Sequence, residues 1–405
     1  MRITVWGINY APELTGIAPY NVALCEFLRA RQHEAEMLTT FSYYPAWKKL
    51  PEDRGQLFRT DVMAGVPVHR CWHFVPARVS ALKRILHEGT FVLTSTLRAL
   101  TLRRADVYVV VSPPLLLGAA AWLVSRLKRS RFVFHVQDLQ PDAAVGLGML
   151  KAGLFTHVLY QLEAFSYRAA ARVSGISDGM LEMFRRKGVP EEKLVFFPNG
   201  VVLPPREEFP PRGEFRRKHG FAAEEFLAIY AGNLGVKQGL DILIDAAPQL
   251  ASSGVRIVIC GDGAEREELA TRARELQLPN VTMLPLQPAG EYAAMLVDAD
   301  VCLVTQQAGS GSAFFPSKLL NTLAYARPVV TVADAESQLA RALEQGQFGV
   351  NVAPGRPDEL AEALEALRHD PDRLQKYGEA GCVFVEQFES NAVSERFLEV
   401  LKTVA

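Results

Sequence analysis

Cysteine is scarce in this sequence, with five residues among 405. They are odd in number, widely scattered and mostly set inside apolar runs, at Cys25, Cys71, Cys260, Cys302 and Cys382. This pattern excludes a disulfide framework and lacks the close spacing of a zinc site. It is typical of reduced cysteines in the cores of an intracellular protein, and we expect a cytosolic location.

Leader-like and membrane-spanning segments are also missing. The strand-like run ITVWG begins at residue 3 with no charged-then-apolar stretch before it, so no signal peptide is expected. One uncharged run, VYVVVSPPLLLGAAAWLV at 107–124, approaches the length of a spanning helix. Pro113 and Pro114 lie in its middle, and we predict a strand, a loop and a buried helix there instead.

Negative charge is depleted in the first half of the chain. The net charge of −1 conceals +9 over residues 1–205 and −10 over residues 206–405. Basic residues are densest at Lys83-Arg84, Arg103-Arg104 and Arg126–Arg131. A basic first half suggests an anionic partner, such as a membrane surface or a phosphorylated acceptor. A run of charge is also typical of an ordinary solvent-exposed face. No nucleic-acid partner is expected.

What the chain does contain is a regular alternation of strand-like and helix-length segments, which predicts parallel sheets with crossover helices. A stretch rich in proline and charge at 198–215 is typical of a linker. We therefore predict an α/β protein of two Rossmann-like domains, with parallel sheets that face a cleft. The predicted strands are 2–6, 35–40, 66–72, 107–111, 131–137, 172–176, 194–197, 226–231, 255–260, 281–284, 301–304, 328–332 and 349–352.

Glycine-containing loops follow several of these strands, where ligands of such sheets bind. Gly16 precedes the first helix, but Gly-x-Gly-x-x-Gly is absent, so no dinucleotide fingerprint is present. The second domain opens with GNLGVKQG, which contains Asn233 and Lys237. Its next strand ends in GDG, with Gly261 and Gly263. These loops can bring backbone N–H groups close to a ligand.

The stretch PSKLLNTLAYARPVV places a lysine where an apolar loop becomes a helix. Unpaired N–H groups and the helix dipole, together with Ser317 and Lys318, would make a seat for a phosphate. The alternative is an ordinary helix start after Pro316. Asp298 and Asp300 match a metal-binding Asp-x-Asp, but they lie between a helix and a strand, where capping and solvent-facing roles explain them better. We expect no metal.

With these motifs, the sequence resembles the retaining GT-B glycosyltransferases of glycosyltransferase family 4, in the bacterial exopolysaccharide and O-antigen branch that includes colanic acid enzymes. The resemblance implies a nucleotide-diphosphate sugar donor held by residues 201–385, an acceptor held by 1–200, and a C-terminal helix, 386–405, that returns to the first domain. It implies no cofactor. The positions at which the resemblance implies contact with the donor are Gly16, Asn233, Lys237, Gly261, Gly263, Gln287, Ser317, Lys318, Leu319 and Asn321.

The chain departs from this family at several charged positions. The usual pair of glutamates falls on Ala313 and Asn321, and the usual Arg and Lys of the donor loop fall on Asn233 and Gln238. Lys318 and Lys237 remain as cations for the diphosphate.

In the first domain the usual histidine falls on Gln137, while Asp138 is retained. His135, two residues earlier on the same strand face, stays a catalytic candidate beside its alternative as a core residue. Asp138 is a candidate for orienting the acceptor hydroxyl, and Gln137 and Asp142 are acceptor-side candidates. Capping is the alternative for both aspartates.

The resemblance predicts a hexosyl- or deoxyhexosyltransferase, with fucose among the possible sugars. It would act on a polyprenyl-diphosphate-linked saccharide and lie peripherally on an anionic membrane surface, at the inner face of the cytoplasmic membrane. Two alternatives are a nucleotide-sugar 2-epimerase and a non-catalytic protein that binds a nucleotide-sugar or glycan.

Overall fold

The structure is a computed structural model that describes residues 1–13, 16–77, 80–146, 153–309 and 317–405. The chain divides into two compact units. The first unit is Met1–Gly200 together with Ser390–Ala405, and the second unit is Val201–Glu389. Each unit is an α/β domain built on its own sheet.

The first unit contains an eight-stranded sheet in the order β3-β4-β2-β1-β5-β6-β7-β8. All neighbours are parallel except β3 and β4, which form an antiparallel hairpin. The strands are β1 Arg2–Trp6, β2 Glu34–Thr40, β3 Phe58–Met63, β4 Val66–Cys71, β5 Val107–Ser112, β6 Arg131–Val136, β7 Arg172–Gly175 and β8 Leu194–Phe196.

Helices cover this sheet because each presents an apolar side to the buried strands. They are α1 Ala18–Ala30, α2 Ala81–Thr101, α3 Leu117–Lys128, α4 Gln140–Gly146, α5 Leu154–Ala169 and α6 Asp178–Arg186. The last helix of the chain, Ser390–Val404, also packs here. Its Phe397 ring stacks on Phe197 with centroids 3.8 Å apart, and both rings belong to the core under β1, β5 and β6.

The second unit contains a six-stranded, fully parallel sheet in the order β11-β10-β9-β12-β13-β14. Its strands are β9 Phe226–Asn233, β10 Val255–Asp262, β11 Val281–Leu284, β12 Val301–Thr305, β13 Val329–Val332 and β14 Gly349–Val352. Its helices are α7 Glu214–His219, α8 Asp241–Ala246, α9 Arg266–Glu275, α10 Ala289–Asp298, α11 Ser317–Ala324, α12 Gln338–Gly346, α13 Pro357–Arg368 and α14 Pro371–Val385, and the chain ends in α15, the helix Ser390–Val404 of the first unit.

The predicted parallel strands are confirmed within one or two residues, because buried parallel strands read as short apolar runs. The hairpin strand β3 was not predicted. Its sequence, FRTDVM, is half polar, and only its alternation and the turn at Ala64-Gly65 mark it. Both turn residues have positive φ, 45° and 76°, as a two-residue hairpin of type I′ requires.

The uncharged run at 107–124 is split into β5 and α3, as predicted. Across the described ranges, every helix is too short or too polar to span a bilayer.

Asp298 and Asp300 are also accounted for. Asp298 accepts the Arg216 N–H at 2.9 Å and so caps α7. Asp300 pairs with Arg216 at 2.6 Å and accepts the Leu227 N–H at 2.8 Å. The capping role is confirmed for Asp298, but a solvent-facing role is wrong for it, because Asp298 is fully buried. Asp300 is an ion-pair partner.

Candidate active site

A pocket of about 140 Å³ opens in the second unit where β9 and β10 end. Parallel strands place their carboxyl ends at one edge of a sheet, so residues that follow different strands meet there. Lys318, Asn321 and Gln287, three of the predicted donor residues, line this pocket. The other lining residues are Ala231, Gly232, Cys260, Leu286, Tyr292 and Met295.

Lys318 lies in the first turn of α11, and its ammonium sits over the ring of Tyr230, 3.8 Å from the centroid. The Tyr230 hydroxyl donates to the carbonyl oxygen of Asn233 at 2.8 Å, which fixes the ring. Within the described ranges, no carboxylate forms an ion pair with Lys318. Burial lowers the pKa of Lys318 to about 7, because removal from water disfavours the charged ammonium.

Two of the predicted donor glycines are required by backbone packing. A Cβ on Gly261 would lie 1.8 Å from the carbonyl oxygen of Gly232, and a Cβ on Gly263 would lie 2.2 Å from that of Leu234. Any side chain there would push apart the loops that follow β9 and β10. Their contact with a donor stays a prediction.

The remaining donor candidates lie in different settings. Asn233 is the last residue of β9 and Lys237 lies in the turn that follows; both are exposed, and neither lines the pocket. Leu319 is fully buried in the core, so only its backbone is available to a ligand. Gly16 belongs to the first unit, in the turn before α1, with φ of +67°. Ser317 begins α11, but its side chain and Ala313 lie outside the described residues.

In the first unit, His135 is almost fully buried at 2% exposure and both of its ring nitrogens are occupied. One contacts the Ser174 hydroxyl at 2.9 Å and the other accepts from Gln137 at 2.8 Å. Burial lowers the pKa of His135 to about 3. His135 and Gln137 therefore share a strand face as predicted. These contacts favour the core role for His135, and a catalytic role stays a prediction.

Gln137 is itself held by Asn199. The two side-chain amides exchange hydrogen bonds of 2.8 and 3.0 Å. His135, Gln137 and Asn199 form one chain of hydrogen bonds at the carboxyl edge of the first sheet, which we call the amide–histidine chain. Its members satisfy one another, so it orients the end of β6 without leaving a strongly charged group.

The two candidate aspartates differ. Asp142 accepts from Lys187, whose ammonium also lies 2.6 Å from Glu163, and from the Tyr160 hydroxyl at 3.3 Å. Its carboxylate is thus already paired. Asp138 is exposed just after β6, and its carbonyl accepts the Gln140 N–H at 3.0 Å. Exposure at a strand end keeps Asp138 as the acceptor-side candidate.

The sequence did not indicate Glu13 or Tyr230 as residues that support a site. Glu13 is 4% exposed and accepts the N–H groups of Tyr43 and Tyr44, each at 2.9 Å, so it holds the loop after β2. Burial raises the pKa of Glu13. A single glutamate between two prolines, in APELTGIAP, was the signal available. Tyr230 lies within an apolar strand, where an aromatic ring usually indicates core packing.

Three neighbouring helices of the first unit expose large apolar side chains. α3 packs against both α2 and α5. Leu82, Leu93 and Leu97 on α2 are 77%, 62% and 52% exposed, Leu127 on α3 is 63% exposed and Leu154 on α5 is 82% exposed. We call these five side chains the apolar face. Basic residues lie close to some of these leucines in the sequence, at Lys83, Arg84, Arg126, Lys128 and Arg129.

Comparisons with known proteins match both units. Residues 15–200 match a family model described as a glycosyl transferase 4-like domain, and residues 211–382 match one described as glycosyl transferases group 1. The protein WcaI of Escherichia coli (strain K12), named for a colanic acid biosynthesis glycosyl transferase, is 33% identical over 85% of this chain and 86% of its own. WbjE of Pseudomonas aeruginosa, named as a glycosyltransferase, is 27% identical over 71% of each chain.

Solved structures share the fold over almost the whole chain. A sucrose-phosphate synthase from Thermosynechococcus elongatus superposes with a TM-score of 0.77 at 18% identity, over 99% of this chain and 98% of its own. HepE from Anabaena, solved in complex with UDP-glucose, superposes with a TM-score of 0.71 at 17% identity over all of both chains. At such identities these likenesses establish the fold.

Proposed function

The chain belongs to the glycosyltransferases, with a 4-like domain and a group 1 domain in a GT-B fold, and from this premise we propose its donor and its acceptor. The donor is a nucleotide-diphosphate sugar, bound beside Lys318. The acceptor is a polyprenyl-diphosphate-linked saccharide in exopolysaccharide or O-antigen biosynthesis. Transfer proceeds with retention of anomeric configuration and without a metal ion.

The observation that carries the donor proposal is the position of Lys318. Its ammonium lines a pocket at the strand ends, over the Tyr230 ring, with no ion-pair partner among the described residues. Leaving a charge desolvated in this way is unfavourable, and an anionic ligand relieves it. The diphosphate of a nucleotide-sugar would do so with short, charge-assisted contacts. HepE, which is solved with UDP and with UDP-glucose, supports this ligand class.

In the proposed reaction, the acceptor oxygen forms a bond to the anomeric carbon as the bond from that carbon to the diphosphate breaks. Negative charge grows on the departing diphosphate. Lys318 and the N–H groups at the start of α11 stabilise that charge, which lowers the barrier. Asn321 lines the same pocket and offers an uncharged amide to a hydroxyl of the donor.

Asp138 is proposed to orient the acceptor hydroxyl and to take up its proton, because it is exposed directly after β6. Asp142 is the weaker acceptor-side candidate, since Lys187 and Tyr160 already occupy its carboxylate. Gln137 is proposed to act indirectly, through the amide–histidine chain that orients the end of β6.

We also propose that the apolar face rests on an anionic membrane surface, at the inner face of the cytoplasmic membrane. Exposed leucines between basic residues suit the boundary of a bilayer, where apolar side chains leave water and cations meet lipid phosphates. Each basic residue near such a surface contributes on the order of 1 kcal/mol. Peripheral binding would bring the enzyme to a lipid-linked acceptor.

One experiment separates the proposal from its alternatives. Purified protein is incubated with a panel of nucleotide-sugars, with and without a polyprenyl-diphosphate-linked saccharide. If the protein transfers the sugar, nucleotide is released and the lipid-linked saccharide becomes heavier, and both changes require the acceptor. Conversion of the donor sugar without acceptor would indicate an epimerase, and saturable nucleotide-sugar binding with no product from any pair would indicate a binding protein.

A further inference from the structure

We propose that the second unit has another ligand site, which takes a sugar phosphate, in a pocket bordered by Arg206, Arg212 and Arg327. The pocket measures about 460 Å³, within the range of small-molecule sites. The proposal does not rest on the donor site, because the two pockets share no lining residue.

The pocket lies at the opposite edge of the sheet from Lys318. Asp300 and Pro328 line it, and each immediately precedes a strand, β12 and β13. The donor pocket instead contains Gly232 and Cys260, near the carboxyl ends of β9 and β10. In parallel sheets these ends form opposite edges, so a ligand here would not compete with the donor directly.

Arg327 supplies the main observation. Its half-buried guanidinium donates to the carbonyl oxygens of Tyr325 at 2.9 Å, Val297 at 3.1 Å and Ala299 at 3.3 Å. Over the described ranges, no carboxylate forms an ion pair with it. Burial lowers its pKa. Carbonyl groups hold the guanidinium in place but do not neutralise it, so a positive charge faces the pocket.

The carboxylate nearest to this charge is already occupied. Asp300 pairs with Arg216 at 2.6 Å and with Arg212 at 2.7 Å, and it also accepts the Leu227 N–H. Arg206 is exposed, and the described residues offer it no ion pair. Glu379, the other carboxylate of the lining, accepts from the Gln375 amide at 2.9 Å, so three arginines line the pocket against two carboxylates.

The turn that carries Arg327 is rigidly held. Ala326 adopts φ of +55°, a left-handed conformation that is unfavourable for a non-glycine residue. α14 packs tightly on this turn, since a Cβ on Gly378 would lie 2.4 Å from the Ala326 carbonyl oxygen. Strain held by its surroundings is characteristic of ligand sites. The guanidinium is thus fixed in place before any ligand arrives.

The rest of the lining indicates the ligand class. Pro328, Pro371 and Leu374 offer apolar surface, and Gln375 and Glu379 offer hydrogen-bonding groups. The arginines suit a phosphate, the apolar surface suits one face of a pyranose ring, and the amide and carboxylate suit its hydroxyls. A sugar phosphate combines all three.

The test is isothermal titration calorimetry of the full chain with glucose 6-phosphate as the probe. We expect one saturable site, with inorganic phosphate binding at least tenfold more weakly. Arg206→Glu should weaken binding tenfold or more, since it reverses a charge beside the phosphate. Arg206 is exposed at the start of a single 3-10 turn, Arg206–Glu208, so its replacement leaves the fold intact. Arg274→Glu, at an exposed arginine of α9, is the matched control and should bind normally.

Lys318→Gln separates this site from the donor pocket and should leave glucose 6-phosphate binding unchanged. The proposal is overturned if the wild-type protein does not bind the probe, or if Lys318→Gln abolishes binding. If Arg206→Glu and Arg274→Glu weaken glucose 6-phosphate binding equally, the effect comes from overall surface charge, and the proposed site is overturned. Equal affinity for inorganic phosphate would overturn the assignment to a sugar phosphate.

Discussion

The two units place different chemistry at the carboxyl edges of their sheets. In the first unit, His135, Gln137 and Asn199 satisfy one another, and Asp142 is paired with Lys187. In the second unit, Lys318 is held against the Tyr230 ring with no ion-pair partner among the described residues. At the first edge the histidine, the two amides and Asp142 are all held by neighbouring groups, while at the second edge a cation has no ion-pair partner among the described residues. A diphosphate would therefore bind at the second edge, and the first edge would position a neutral acceptor hydroxyl.

Lys318→Ala gives the sharpest test of this difference. The Lys318 ammonium acts on the leaving diphosphate, which needs stabilisation most in the transition state. We expect weaker nucleotide-diphosphate binding and a turnover at least 100-fold lower, a barrier increase of about 3 kcal/mol. Steady-state kinetics and nucleotide titration measure the two effects.

Lys237→Ala is the matched control, because Lys237 is exposed and lies outside the pocket. We expect it to change turnover by no more than a few fold. Normal turnover and donor affinity in Lys318→Ala, at an unchanged Tm, would make the start of α11 merely structural and Lys237 the next candidate. Lys318→Arg should restore activity only in part, since a guanidinium is larger and directs its donors differently.

The second prediction concerns the surface that distinguishes the basic first unit. Replacing Leu93 and Leu97 together with serine removes two exposed side chains from the apolar face. If both enter the lipid boundary, their loss costs about 2 kcal/mol and weakens binding to vesicles with anionic lipid by roughly 30-fold. Vesicle sedimentation at low salt measures the affinity.

Val62→Ser is the control, because Val62 is a 72% exposed apolar side chain on β3 and is not one of the five side chains of the apolar face. Rising salt should weaken binding of the wild-type protein, since basic residues contribute. Binding that depends on neither lipid charge nor salt, or that the double variant retains in full, would contradict a membrane role for this face.

The sequence predicted the sheets better than it predicted the site. The buried strands are short, β-branched runs, a local signal, whereas β3 escaped because half of its residues are polar. The site depends on contacts between distant segments. Lys318 meets Tyr230 across 88 positions of sequence, and His135 meets Ser174 across 39. Spacing alone could identify Lys318 as a cation at a helix start, but not the ring beneath it.

The same reasoning explains the acceptor-side candidates. Asp138, Asp142 and His135 looked equivalent as polar residues near one strand end. Only the fold brings Lys187 to Asp142 and closes the amide–histidine chain around His135. The partner of Asp142 is Lys187, directly after α6, and a partner of His135 is Ser174 on β7. Both lie far along the chain, so no local pattern could distinguish Asp138, Asp142 and His135.

The third prediction tests Asp138 as the residue that makes the first edge reactive. Asp138→Asn keeps the size of the side chain but removes its capacity to accept a proton. We expect turnover to fall by about 100-fold, the lower end of the usual effect of one acid–base group, with donor affinity nearly unchanged. Asp142→Asn serves as the comparison and should affect the Tm more than turnover, because it breaks the Lys187 pair. Wild-type turnover in Asp138→Asn would reduce Asp138 to a loop residue.

The smallest expected effect is a pH dependence that belongs to the second edge alone. With a pKa of about 7, Lys318 of the unliganded protein loses its proton as pH rises through 7. A bound diphosphate favours the charged form and raises that pKa, so binding takes up a proton. Nucleotide-diphosphate affinity should therefore fall as pH rises from 7 to 9, by at most tenfold per pH unit.

Calorimetry in two buffers of different ionisation enthalpy detects this proton uptake directly. Lys318→Gln should bind more weakly and lose the pH dependence, because the ammonium that titrates in this range is gone and burial raises the pKa of the Cys260 thiol in the same pocket to about 12. His135→Asn should leave the dependence intact, since His135 lies in the first unit and its pKa of about 3 keeps it neutral throughout this range. A pH profile that survives in Lys318→Gln would assign the titration to the nucleotide phosphates and leave the charge difference between the two edges without functional consequence.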